Sequence, residues 1–173
     1  MQLLPEAVLV VTALALLGVA VASESKSGKP FSNRAAIAIA ATGVILAGLA
    51  LLRVPTTGSE SPLISMDPLA RIFKGVVLGL GLLAVLLPPA AKEIRQTGEF
   101  YALMLFALTG LLLTTGTNHL LFLFVALELA SLSLYLLAGF PRTARSAEAS
   151  LKYFLFGGVS AAFLLFGLSL VYG

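Results

Sequence analysis

The chain has 173 residues, 59% of them hydrophobic and 11% charged, with a mean hydropathy of +1.04; a soluble domain carries about 25% charged residues, so the composition is that of an integral membrane protein. It contains no cysteine, one histidine and no tryptophan, which excludes a disulfide framework, a thiolate-held iron–sulfur cluster and a bis-histidine haem within the chain. The net charge of +3 and the pI near 9.5 come from basic residues scattered between apolar runs, a pattern that argues against nucleic acid as a partner.

A spanning helix needs about 20 mainly apolar residues. Runs of that kind cover Leu4 to Ala22, Ala35 to Leu52, Ile72 to Ala90, Glu99 to Thr115, His119 to Phe140 and Ala149 to Tyr172. Apolar residues are continuous in them and do not alternate with polar ones, so they read as helices and not as barrel strands. The predicted fold class is all-α integral membrane, a bundle of about six transmembrane helices.

The first run ends in AVAS, Ala20 to Ser23, which has the small residues of a signal cleavage site. The preceding MQLLPEAV carries Glu6 and no Lys or Arg, whereas a secretory signal opens with a basic region; the run is therefore expected to remain as a helix. Glu6 at its start suits the helix dipole. The second connection, VPTTGSESPLISMDPLARIFK, reads as an irregular exposed loop. Within it Asp67 and Pro68 are expected to cap the third helix, and Arg71 and Lys74 to snorkel to the outer interface. Glu99 opens the fourth helix on the favourable side of its dipole. His119 opens the fifth as an interfacial side chain. Glu148 caps the sixth or pairs with a neighbouring arginine, and Gly157 and Gly158 allow close helix packing within it.

Lys and Arg set the orientation. The first connection holds Lys26, Lys29 and Arg34, the third Lys92 and Arg95, and the fifth Arg142 and Arg145, whereas TTGTN between the fourth and fifth runs holds none. Arg53, Arg71 and Lys74 flank the second connection without reversing the pattern. By the positive-inside rule the odd-numbered connections face the cytoplasm and the N-terminus faces outward.

The fifth run, HLLFLFVALELASLSLYLLAGF, carries one acid, Glu128, near its middle. An acid there costs on the order of 3 kcal/mol, so it must face the bundle interior, a partner or water. Two readings stand: a protonated packing acid hydrogen-bonded to a neighbouring helix, or a proton site. Ser131 and Tyr135 follow on the same helix face and are candidates to support a short water file. Lys152 begins the sixth helix, joined to the fifth by the short basic turn FPRTARSAEAS, and lies on the cytoplasmic side of Glu128. It reads either as a snorkelling lysine or as the other end of a water-bridged relay, about 10 Å away in depth.

The elements EFYALMLF, LELASLSLYLLAGF, SAEASLKYFLFGG and LSLVYG make the segment from Glu99 to Gly173 resemble membrane-arm subunit N of bacterial respiratory NADH:quinone oxidoreductase. DPLARIFK fits as well, while the first 55 residues match only in hydropathy. The resemblance implies an antiporter-like fold of about fourteen helices with a pair of inverted repeats of about five helices each. It divides the chain into residues 1–98, three leading transmembrane helices with loops, and 99–173, the first three helices of the first repeat. It also implies proton translocation by a glutamate on the fifth helix and a lysine on the sixth, positions matched by Glu128 and Lys152. The lysine on a seventh helix, the broken helices and the second repeat of that family would lie beyond Gly173.

The expected function is that of a proton-translocating subunit coupling quinone reduction to pumping. It would act in the bacterial inner (plasma) membrane beside other membrane-arm subunits, with NADH, FMN, iron–sulfur clusters and quinone held elsewhere in the complex and no cofactor or metal on this chain. A subunit of a multisubunit sodium/proton antiporter and a purely structural assembly bundle are the alternatives.

Overall fold

The computed structural model describes residues 2–27, 31–55, 64, 66–87, 94 and 96–172. Its helices are α1 (Leu4–Ser27), α2 (Asn33–Arg53), α3 (Pro68–Leu86), α4 (Thr97–Thr114), α5 (Leu120–Gly139) and α6 (Ala144–Tyr172). All 6 are long and apolar enough to cross a membrane, and among the described residues the extended structure is an isolated bridge between Ile64 and Thr117. The chain is thus an all-α, multi-pass membrane protein. Lys29 of the first connection and Lys92 and Arg95 of the third lie outside the described residues.

Helix boundaries follow local chemistry. α3 starts at Pro68, a turn before the expected Ile72, because the Asp67 side chain accepts from the Ala70 N–H at 2.8 Å and Pro68 stands in the first turn. It stops at Leu86, before the expected Ala90: Leu87 has φ −76° and ψ 118°, the extended conformation forced on a residue that precedes proline, here Pro88. α6 starts at Ala144 and not Ala149. A reciprocal cap forms there, the Thr143 N–H donating to Ser146 Oγ at 2.9 Å and the Ser146 N–H to Thr143 Oγ1 at 3.1 Å, so two orphan donors of the first turn are satisfied. The tight α5–α6 turn places Arg142 at φ 56°, and its N–H closes on the Gly139 carbonyl at 3.1 Å.

α4 is the central helix and packs against α1, α2, α3 and α5, whereas α6 packs only against α5 among the described helices. Helices in lipid associate where small residues let backbones approach, and this bundle uses that device repeatedly. A Cβ built on Gly98 of α4 would lie 2.5 Å from Ala20 Cβ of α1, and one on Gly110 would lie 2.5 Å from the Ala130 backbone nitrogen of α5. The core clusters around Leu9 and Leu16 of α1, Val44 and Leu51 of α2, and Tyr101, Leu105 and Leu112 of α4. Of α6, only Ser146 and Leu168 are buried.

Candidate functional site

Glu128 sits mid-helix in α5, partly buried. Ala126, Ala130 and Ser133 form the buried seam of α5, with the Ala126 carbonyl and Ala130 nitrogen pressed against Gly110 of α4. At about 100° per residue Glu128, Ser131 and Tyr135 point away from that seam, toward the α6 side of the helix. They share one face, as the spacing requires. Glu128 makes no hydrogen bond or ion pair with any described residue, and Ser131 is partly exposed.

Tyr135 is buried and is held by α6. Its ring stands edge-on to Tyr153 and Phe154 with centroids 4.7 and 5.9 Å away, and its hydroxyl occupies the space a side chain at Gly157 would need. The Tyr135 carbonyl accepts from Ser150 Oγ at 2.8 Å. An open groove of about 660 Å³ runs along this contact, walled mainly by Leu132, Leu136, Leu151 and Phe154, with Tyr135 and Ser150 as its polar members. Gly157 therefore serves close packing, as expected, while Gly158 has nothing within 4 Å of where its Cβ would be.

The antiparallel register of α5 and α6 sets the depth of Lys152. His119 at the start of α5 meets Tyr172 at the end of α6, ring centroids 6.0 Å apart, and Gly139 meets Ser150. Glu128 is then level with the region of Phe163 and Lys152 with that of Ala138, a separation of about 15 Å along the axis. The structure does not bring the two together. Lys152 Nζ instead donates to Glu148 Oε1 at 2.5 Å, one turn back on the same helix, with side-chain exposures of 65% and 64%. Glu148, expected to cap or to meet an arginine, has this lysine as its partner.

The family model described as NADH:quinone oxidoreductase/Mrp antiporter, TM matches residues 117–173, which is α5, α6 and the turn that joins them. F(420)H(2) dehydrogenase subunit N of Methanosarcina mazei is 39% identical over 100% of this chain and 36% of its own length. NADH-quinone oxidoreductase subunit N of Geobacillus kaustophilus is 42% identical over 98% of this chain and 35% of its own. In the solved structure of respiratory complex I from Thermus thermophilus with bound aureothin, one chain superposes with a TM-score of 0.76 at 33% identity, covering 98% of this chain and 36% of that one. Along its whole length the chain is thus similar to the antiporter-like subunit N family. It matches the N-terminal part of subunit N and spans a little over a third of the length of these relatives. The likeness to subunit N also runs through the first two helices, which corrects the expectation that the first 55 residues match only in hydropathy.

The chain contains a second polar contact, between its first and third helices. Lys74 of α3 is 1% exposed, and its ammonium donates to Glu6 Oε1 of α1 at 2.5 Å. The expected snorkelling of Lys74 is thus corrected: a buried carboxylate within reach holds the charge inside the bundle. Glu6, read as a partner of its own helix dipole, is 3% exposed and faces α3. Arg71 also turns inward, its guanidinium donating to the Val54 carbonyl beyond α2. One signal was legible in the sequence: α1 and α3 run in the same direction, so an acid and a base near their starts sit at similar depth.

Proposed function

We propose that this chain contributes the first helices of a proton-translocating membrane-arm subunit in a complex of the NADH:quinone oxidoreductase type, with Glu128 as its protonatable acid. The observation that carries this reading is the position of Glu128: mid-span, partly buried, without a hydrogen-bonding or ionic partner among the described residues, in the segment matched by the family model. An acid so placed needs a proton, a water or a cation from elsewhere. Quinone reduction in the peripheral part of the complex would shift its protonation, and Tyr135 and Ser131 on the same face would support the water that serves it. Lys152 would accept and donate protons at the cytoplasmic end, exchanging with Glu128 through water across about 15 Å. On this reading residues 1–98 are leading helices and 99–173 begin the first repeat. The N-terminus faces outward from the bacterial plasma membrane, and the nucleotide, flavin, iron–sulfur and quinone sites belong to other subunits.

The test is Glu128→Gln in the assembled complex, with proton uptake followed by a pH-sensitive dye in vesicles while quinone reduction is driven. Pumping should fall several-fold with assembly intact; an assembled variant that pumps normally removes the proton-site reading. The family model also embraces Mrp antiporters, which supports sodium/proton exchange as the second reading. Sodium-dependent proton movement in the absence of electron donor would favour it.

A further inference from the structure

α3 buries one narrow stripe, Ala70, Lys74, Leu78, Gly81 and Val85, with Val77 and Leu82 packed against the core beside it, while Ile72, Phe73, Leu80 and Leu83 point outward. Lipid tails are as apolar as these leucines, so hiding them from water does not drive docking; packing and polar contacts decide it. The stripe offers little bulk, and a lysine stands in its first third.

α1 and α3 make no close backbone contact among the described residues. The stem of Lys74 crosses the gap to Glu6, with side-chain exposures of 1% and 4%. Glu6 Oε2 has no partner among the described residues, so loss of Lys74 would strand a buried carboxylate, and loss of Glu6 a buried ammonium. One turn before Lys74, Arg71 ties the same end of α3 to the Val54 carbonyl. Further along, Gly81 takes the Leu108 side chain of α4: a Cβ there would lie 2.5 Å from Leu108 Cδ2.

A buried ion pair adds little net stability, because desolvation opposes the attraction, yet breaking it is costly. In this setting it penalises every wrong placement of α3, since a rotated or shifted helix leaves both charges unpaired among apolar groups. We propose that Glu6 and Lys74 form a charge clasp that selects the docked position of α3, fixing its rotation and depth against α1 and thereby bringing Gly81 onto Leu108.

The absence of cysteine from the chain permits a direct test. Gly81→Cys with Leu108→Cys in the full chain, in membranes, reports α3 docking through oxidative cross-linking. Adding Glu6→Gln or Lys74→Met should slow cross-linking at least about tenfold, and the exchange Glu6→Lys with Lys74→Glu should restore it to within about threefold, because a clasp works in either polarity. Unchanged cross-linking in the single variants overturns the proposal, as does an exchanged pair as slow as either single. If the reporter or exchanged chains fail to accumulate, a double-mutant cycle on thermal unfolding decides. Glu6→Gln with Lys74→Met no worse than either alone supports the clasp, and additive losses overturn it.

Discussion

The Tyr135 phenol of α5 fills the space above the α-carbon of Gly157 in α6. This contact and the Ser150 bond to the Tyr135 carbonyl position α6, which packs against no other described helix. A methyl group at 157 must push the ring away or separate the helices. Gly157→Ala should therefore destabilise the α5–α6 pair by about 1–3 kcal/mol, whereas Gly158→Ala should be nearly silent because nothing lies within 4 Å of its Cβ position. Thermal unfolding in detergent of the two variants side by side checks this; equal midpoints would refute it.

A larger loss is expected one interface further in. A Cβ on Gly110 would sit 2.5 Å from the Ala130 nitrogen and 2.8 Å from the Ala126 carbonyl. Backbone atoms cannot step aside as a side chain can, so Gly110→Val should cost more than Gly157→Ala, on the order of 3 kcal/mol or above. Retained folded protein after mild heating, read by size-exclusion chromatography, gives the ordering.

The caps give a smaller and more local outcome. Thr143→Ala removes the hydroxyl that accepts from the Ser146 N–H, and Asp67→Ala removes the acceptor of the Ala70 N–H. Each should cost about 1 kcal/mol. Hydrogen exchange should quicken in the first turn of α6 or of α3 and stay unchanged at mid-helix; a uniform rise would point to global loosening and contradict a capping role.

Glu148 and Lys152 are a solvent- or partner-facing pair at i and i+4, and such exposed pairs contribute only about 0.3–0.5 kcal/mol. Glu148→Gln should leave the unfolding midpoint within a few degrees. If Lys152 handles protons as proposed, the same variant should alter the pH dependence of pumping in the assembled complex, since the lysine loses its carboxylate neighbour. An unaltered profile would argue that Lys152 takes no part in transport.

Much of this protein is written in local sequence. Unbroken apolar runs determined the six spanning helices seen among the described residues, because the bilayer leaves a backbone no other open way to satisfy its hydrogen bonds. Asp67 and Pro68 specified the start of α3 because a cap needs only neighbours in sequence. The α6 start escaped for a related reason: Thr143 and Ser146 form their cap within a basic turn that hydropathy marks as a connection. Spacing alone also put Glu128, Ser131 and Tyr135 on one face.

What hydropathy could not supply is which faces meet. Lys74 at the end of a span looks the same in sequence whether it reaches outward to head groups or inward to a carboxylate 68 residues away. Only the placement of α1 within side-chain reach of α3 decides, because it sets whether an unpaired charge or an ion pair results. The same holds for Lys152, whose distance from Glu128 is fixed by the register of α5 on α6, and that register depends on a tyrosine finding a glycine across the interface.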